Sequence, residues 1–394
     1  MLHAGQTGTP RGSQTGTNAT LVRDHNERSV LTLLRTQGPM AGASVAKATG
    51  VSAQTASVIL RSLEDRGLVE KHAPVKGKVG KPKVPYGLRA EGAYSVGFRL
   101  GRRSADLTLL NFHGETIWET SLQYPFPMPE VIDQFVSGAL TEIVSNGYCP
   151  EPDRIVGIGV AAPFELWNWL EGLGAPKEKA DLWRDQNFVD AFSAFTDLPV
   201  FVENDVNLSA GGELAFGIGQ SLQSFGYFYI GAFIGGAVVI DRQVYHGLRG
   251  NAGAFGSMPT GDTRKTNHQL IAEASIYRLE KHLSAQRGSL VNLRRTPGLW
   301  GKHADDVTVW LEEAAPGLAK AIVNVAAVLD FSDFVVDGVF PGPVRTQSIA
   351  LINRALQQID QQGLFEIRVH EGTLGPASGV RGAGYQPILK TLFN

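Results

Sequence analysis

Tyr94-Ser95-Val96-Gly97-Phe98-Arg99-Leu100, with the runs 105–112 and 115–124 behind it, decides the fold. These are extended, largely apolar segments joined by tight turns, one of them Asn111-Phe112-His113-Gly114. Working outward, helical spacing covers 131–146 and a short apolar strand covers 155–161. A strand at 199–202 leads to a helix at 206–216, and strands follow at 225–231 and 235–240. Helices are expected over 268–284 and 305–331, a strand at 333–337, a helix over 342–360, a strand at 365–370 and a terminal helix from Gln386. The unit strand-strand-strand-helix-strand occurs twice, the second copy less regularly. The expectation is α/β, an antiparallel edge feeding a mostly parallel sheet.

Upstream of these strands the chain changes character. Residues 1–17 are rich in Gly, Thr, Gln and Ser and read as a disordered leader. Helical spacing runs over 21–37 and stops at Gly38-Pro39; a short helix covers 43–49; Gly50 turns the chain and Ser52 caps a helix that ends at Gly67. Three helices with a tight turn between the second and third read as a helix-turn-helix. On a wheel of the third helix, Ala56, Ile59, Leu60 and Leu63 share one face. Gln54, Ser57, Val58 and Arg61 fall opposite, with Thr55 at the edge. The first face packs; Gln54, Thr55, Ser57 and Arg61 have side chains that meet base edges and phosphates. Lys71, Lys76, Lys78, Lys81 and Lys83 follow, with no acid and with several glycines and prolines between them. Such a segment reads as a wing, Lys78 and Lys81 touching phosphate or the minor groove.

Charge divides the same way. The 394 residues carry 36 Lys+Arg against 38 Asp+Glu, but residues 1–90 hold 13 against 5, net +8, and the remainder 23 against 33, net −10. A basic head on an acidic body indicates two tasks. The single cysteine, Cys149, excludes an internal disulfide framework and any multi-cysteine zinc site. The longest uncharged, mostly apolar run, 225–240, is shorter than the ~18 residues a spanning helix needs. No signal peptide or membrane contact is expected, and a reducing cytoplasm is the expected location.

Several segments in order carry a resemblance: Arg28-Ser29-Val30-Leu31, Gly80-Lys81-Pro82, Gly157-Ile158-Gly159-Val160-Ala161-Ala162-Pro163, Leu182-Trp183-Arg184-Asp185, Pro199-Val200-Phe201-Val202-Glu203-Asn204-Asp205-Val206-Asn207, and Gly250-Asn251-Ala252-Gly253-Ala254-Phe255-Gly256. Together they resemble the ROK family of sugar kinases and sugar-responsive repressors, from about residue 20 to the end. The resemblance implies an actin/hexokinase-like two-lobed domain over 91–394 for effector binding and oligomerisation, behind a winged helix-turn-helix over 18–90.

The departures from the family pattern are as informative. Kinases of this fold use a phosphate loop Asp-x-Gly-Gly-Thr; here Arg99 stands at the acid, Arg102 at the second glycine and Arg103 at the threonine. The second loop, usually Gly-Thr-Gly-Ile-Gly, reads Gly231-Ala232-Phe233-Ile234-Gly235, and a late glycine-rich loop reads Val336-Asp337-Gly338-Val339-Phe340. Three altered elements oppose ATP use; the other reading is that Arg99, Arg102 and Arg103 bind an anion in a new way. Asn204 and Asp205 match the family's sugar contacts, and either could instead cap the next helix. Ala254 and Ser257 replace a sugar-binding Glu and a zinc-binding His. Ile271, with Glu273 two residues on, aligns with a further sugar-binding Glu. His268 and Cys149 lack partners at ligand spacing. Trp167 and Trp169 stand in a loop where relatives approach sugar, and stacking on a ligand and packing of a lid are equally open. Ligand contacts are thus expected at Asn204, Asp205, Ser257 and Trp167, with no catalytic residue, metal or cofactor.

The resemblance implies a DNA-binding repressor of carbohydrate-related genes with a non-catalytic sensing domain, acting as a homodimer or tetramer on a palindromic or inverted-repeat operator. An active kinase with a DNA-binding head, and a ligand-independent DNA-binding protein with a decayed pocket, are the rival readings.

Overall fold

The computed structural model describes residues 17–75, 83–170, 174–261, 269–294 and 296–393. The leader expected over 1–17 lies outside them except for Thr17. Helix α1 (Thr17–Gln37) leads through a short strand β1 (Met40–Ala41) to α2 (Gly42–Thr49) and α3 (Ala53–Asp65). Strands β2 (Val69–Lys71) and β3 (Pro85–Leu88) pair antiparallel, β3 also pairs β1, and a bridge between Val75 and Lys83 extends the hairpin. This three-stranded sheet beside three helices is a winged helix-turn-helix.

Strands β4 (Tyr94–Leu100), β5 (Ser104–Asn111) and β6 (Thr116–Gln123), helix α4 (Pro129–Ser145) and strand β7 (Ile155–Ala162) open the first lobe. Short helices α5 (Trp167–Leu170), α6 (Lys177–Asp181) and α7 (Phe188–Ser193) precede β8 (Val200–Asn204) and α8 (Asp205–Phe216). The second lobe holds β9 (Phe225–Ile230), β10 (Ile234–Ile240), β11 (Gln243–Tyr245), α9 (Leu270–Ala274), α10 (Ile276–Arg287), α11 (Gly298–Lys302), α12 (Ala304–Leu329), β12 (Asp333–Gly338), α13 (Gly342–Leu356) and β13 (Arg368–Glu371). Helix α14 (Ser378–Ile388) and a π-helical turn, Leu389–Phe393, complete the described chain.

The two sheets have one topology. Their strand orders are β6-β5-β4-β7-β8 and β11-β10-β9-β12-β13, with the first three strands of each antiparallel and the last three parallel. The doubled unit read from the sequence is this repeat. Burial explains the patterns: β4 and β9 are buried at every position, as a central strand covered on both faces should be, whereas edge strand β6 alternates. Each lobe has its own apolar core, around Phe98, Ile158 and Phe192 in the first and Phe228, Leu311 and Phe334 in the second.

Three expected elements are redrawn. The single helix over 268–284 is two, broken at Ser275, whose backbone is extended. Its hydroxyl accepts from Ile234 N at 3.0 Å, while Ile276 N and Tyr277 N donate to the carbonyls of Gly231 and Ala232. The start of α10 is thus bonded to the β9–β10 turn, a tertiary contact that helical spacing does not encode. The strand at 365–370 is shorter and later, Arg368–Glu371. The terminal helix begins at Ser378, well before Gln386, and its glycines conceal it in the sequence. Those glycines have a purpose: a Cβ on Gly382 would strike the Leu208 carbonyl, and one on Gly159 of β7 would strike the Ala383 carbonyl. Helix α14 therefore lies backbone-close on α8 and on the first-lobe sheet.

Candidate functional site

In the head, Ser52 caps α3 by accepting from Thr55 N at 3.0 Å, and the two hydroxyls lie 2.8 Å apart. Ala56, Ile59, Leu60 and Leu63 are buried, and Gln54, Thr55, Ser57 and Arg61 are exposed with Val58. All four DNA-reading candidates on α3 therefore share one free surface. The orientation of α3 is set from below by Glu27 of α1, a buried carboxylate that accepts from Arg66 Nη1 at 2.5 Å and Arg23 Nε at 3.2 Å. Lys78 and Lys81 lie outside the described residues. At the wing base, Lys71 donates to both oxygens of Glu64 at 2.7 Å, and this bond raises its pKa.

The second region is the cleft between the lobes. A cavity of about 80 Å³ is bounded by Arg99, Arg102 and Arg103 at the β4–β5 turn, by Asp205 and Val206 at the start of α8, by Tyr229 and residues 231–235, and by Glu280 and Arg294. The altered phosphate loops meet here. The Arg102 guanidinium lies 4.8 Å from the Phe233 ring centroid, so the side chain at the second glycine of one loop rests on the side chain at a glycine of the other. Phe233 also packs on Tyr277, 5.5 Å between centroids. Asp106 of β5 bridges the lobes, accepting from Arg99 Nη1 at 3.2 Å and from Arg294 Nη2 of the second lobe at 2.5 Å. Burial opposes the Arg99 charge, but Tyr229, Asp106 and Asp205 more than offset it and leave its pKa raised. Burial lowers that of Arg102; Asp205 counters this and Arg99 adds to it.

The ligand candidates separate. Asn204 is the N-cap of α8: its Oδ1 accepts from Val206 N at 2.9 Å and Asn207 N at 3.2 Å. With the cap filled by Asn204, the neighbouring Asp205 is left to line the cleft, buried and facing the arginines. Ser257 is exposed in a short 3-10 turn and does not border the cavity. Trp167 packs against the first-lobe core with Arg184 5.5 Å from its ring, also away from the cavity, and the Trp169 side chain lies outside the described residues. Ile271 packs on the second-lobe core, and Glu273 accepts from Thr260 Oγ1 at 2.7 Å. Cys149 is buried in the first lobe, and His268 lies outside the described residues.

Sequence reasoning missed Tyr229, Glu280 and Arg294. Tyr229 lies near the end of a recognised strand, just before a recognised loop, a signal that was present. Glu280 and Arg294 reach the cleft only through the break at Ser275 and the turn after α10. A second missed cluster surrounds Glu203, which accepts from His246 Nδ1 at 3.0 Å and Asn207 Nδ2 at 3.0 Å. Burial works against its charge, and these bonds outweigh it and keep its pKa low.

Head and cleft share one element. Glu213 of α8, fully buried, accepts from the backbone N–H of Thr373 and Leu374 at 2.7 and 2.6 Å, fixing the approach to α14. Gly379 of α14 is in close contact with the Arg99 side chain. At its other end, Phe393 stacks on Phe112 at 5.6 Å and carries the Arg35 guanidinium of α1 at 4.9 Å. Arg154 of the body adds hydrogen bonds to the carbonyls of Arg66 and Gly92. One apolar core runs from Val30, Leu34 and Leu60 of the head to Tyr385 and Phe393.

Comparison with known proteins gives a consistent result. The ROK family pattern matches residues 95–385 and the MarR family pattern matches residues 24–78. The chain is 25% identical over 371 residues to the protein y4fQ of Sinorhizobium fredii, covering 93% of this chain and 92% of that one. It is 23% identical over 240 residues to the xylose repressor of Bacillus subtilis, 61% of each chain, and 22% identical over 260 residues to the regulator NagC of Escherichia coli, 63% of this chain and 60% of that one. The match thus spans about three fifths of these named regulators. Among solved structures, a ROK family transcriptional regulator homologous to the E. coli MLC protein superposes with a TM-score of 0.71 at 20% identity, covering 94% of this chain and 97% of that one. A ROK family glucokinase from Streptomyces griseus, in complex with glucose and AMPPNP, superposes with a TM-score of 0.55 at 18% identity, over 74% and 98%. Both share the fold.

Proposed function

The chain belongs to the ROK family, and on that premise we propose that it is a DNA-binding transcriptional repressor whose sugar-kinase-like domain senses a small molecule without phosphorylating it. The head, 18–90, reads an operator; the body, 91–394, oligomerises and takes an effector in the cleft. The observation that carries this reading is the surface of α3, where Gln54, Thr55, Ser57 and Arg61 stand free beside a wing while the opposite face is packed. Lys78 and Lys81 supply phosphate contacts from the wing. The xylose and N-acetylglucosamine repressors among the relatives support a carbohydrate effector. As a homodimer or tetramer the protein binds a palindromic or inverted-repeat operator, and it works in the cytoplasm.

The absence of kinase activity is argued from the cleft. The Arg102 and Phe233 side chains stack between the two loops, where glycine would let backbone N–H groups reach a phosphate. Arg99 replaces the acid that organises magnesium. Asp205, without a phosphoryl donor, accepts hydrogen bonds from effector hydroxyls. Asn204, Ser257 and Trp167 remain candidates that join the ligand only on lobe movement. Effector binding shifts the lobes, α14 carries the shift from Arg99 to Phe393, and the head changes its fit to DNA. By linkage, operator and effector alter each other's affinity by one factor.

Operator titration by fluorescence anisotropy, repeated across a sugar panel, tests the reading. The expected result is nanomolar operator binding relieved by one sugar class, with Asp205→Ala blunting relief and not DNA binding. A coupled ADP-release assay showing sugar-dependent turnover would establish the kinase reading instead. Operator binding that no compound alters, in wild type and Asp205→Ala alike, would favour the decayed pocket.

A further inference from the structure

Arginine side chains gather around one small cavity in the cleft. Among the described residues, four guanidinium groups border the cavity, Arg99, Arg102, Arg103 and Arg294, against the carboxylates of Asp205 and Glu280. Asp106, bridging Arg99 and Arg294, is a third acid. The Nε atoms of Arg99 and Arg103 and the hydroxyl of Tyr229, on residues that line the cavity, are buried without a hydrogen-bond partner, the first of them beside Gly379 of α14. Tyr229 is only 4% exposed, and Arg99 only 6%. Buried donors in native proteins are nearly always satisfied, and an unmet charged donor is the costliest kind. Three residues that carry such donors line one small cavity. Guanidinium forks match the planar or tetrahedral oxygens of carboxylate and phosphate. At about 80 Å³ the cavity takes one such group and is far below the roughly 300 Å³ and more of a pocket that encloses a drug-sized molecule.

We propose that the cavity is an oxyanion site, and that the effector is a small polyhydroxylated acid or phosphate ester. Its oxyanion lies among Arg99, Arg103 and Tyr229, and Asp205 holds a hydroxyl of the same molecule. The proposal rests on the effector-sensing reading above and names the chemical class that the sensor takes. It also gives the cleft a reason to close. Arg99 and Arg103 stand on the first lobe and Tyr229 and Arg294 on the second, so one anion neutralises charge from both.

Calorimetric titration of the full chain, at constant ionic strength in chloride, tests this with four probes: inorganic phosphate, gluconate, glucose 6-phosphate and glucose. Saturable binding of inorganic phosphate is expected in wild type, weakened at least tenfold in Arg103→Gln and about threefold in Tyr229→Phe. Arg354→Gln, an exposed position on α13 that does not border the cavity, should bind as wild type. Arg103→Lys keeps the charge and loses the fork, and is expected to fall between wild type and Arg103→Gln. Tighter binding of gluconate than of glucose 6-phosphate assigns a carboxylate; the reverse order assigns a phosphate. Phosphate binding indifferent to Arg103 and Tyr229, or no binding of any anion, overturns the proposal. If glucose alone binds and releases operator, the oxyanion site falls and the sensing function stands.

Discussion

Phe393→Ala is expected to loosen the DNA-binding head while leaving the lobes intact. Phe393 is 8% exposed, stacks on Phe112, and supports Arg35 of α1. Truncating a buried phenylalanine costs about 3–5 kcal/mol, and the lost cation–π contact adds about 0.5 kcal/mol. The low end of that range is about 3 kcal/mol. If that energy holds the head to the body, local opening of α1 becomes more frequent by a factor of roughly 150. Hydrogen exchange by mass spectrometry reads this directly. Peptides from α1 and α3 should exchange about two orders of magnitude faster, and those from β9 and β12 at the wild-type rate. Phe393→Leu, which keeps most of the apolar contact, should lie much closer to wild type. Unchanged α1 exchange would refute the idea that the C-terminal turn anchors the head, and equal acceleration in β9 and β12 would show a global loss instead.

Other expectations follow from the same structure. Ser52→Ala removes the α3 cap and should cost about 1 kcal/mol of head stability, seen as a lower urea midpoint and weaker operator binding. Gln54→Ala and Ser57→Ala should change base preference in a randomised-operator selection, whereas Lys81→Ala should weaken binding to every sequence and lower the salt slope by about one. An unchanged slope removes Lys81 from the wing contacts. Burial, with Glu213 close by, pushes the Asp337 carboxyl up to about 6. Its unfolded value is near 3.9, so between about pH 4 and 6 the native state keeps a proton that the unfolded chain has released. Stability contributed by this group therefore falls as pH rises through that window. Urea midpoints from pH 4 to 7 should show the decline in wild type and not in Asp337→Asn; parallel curves would contradict it.

How much of this was legible in the sequence depended on where the deciding contact lay. The α3 wheel was readable because one helix face against one local core fixes both surfaces, and every residue placed on either face is found there. The repeated succession of strands and helices was readable from its apolar runs, but the third strand of the second copy, Gln243–Tyr245, is three residues with no buried position and left no such run. Asn204 and Asp205 illustrate the limit: either side chain satisfies the rule for a cap, and only the backbone geometry gives the cap to Asn204 and the cleft to Asp205. Trp167 and Ser257 were placed by analogy with relatives, and here the first packs on a core and the second faces solvent. The Arg102–Phe233 stack was beyond reach for a simpler reason. Two departures from a family pattern, far apart in the chain, give no sign in the sequence that they touch.

Helix α14 has a consequence for the making of the protein. The Ser95 hydroxyl bonds the Gly384 carbonyl across a sequence separation of 289 residues. A ribosome adding about 5–20 residues per second needs roughly 15–60 s to span that distance. For that interval the face of the first-lobe sheet that α14 will cover has been made and stands bare. The glycines that allow so close a fit, Gly97 and Gly159, leave part of that face as bare backbone beside the apolar side chains of Leu110 and Ala161. Until α14 is made, the first-lobe sheet is open on the face where that helix will lie, and its packing is completed only then.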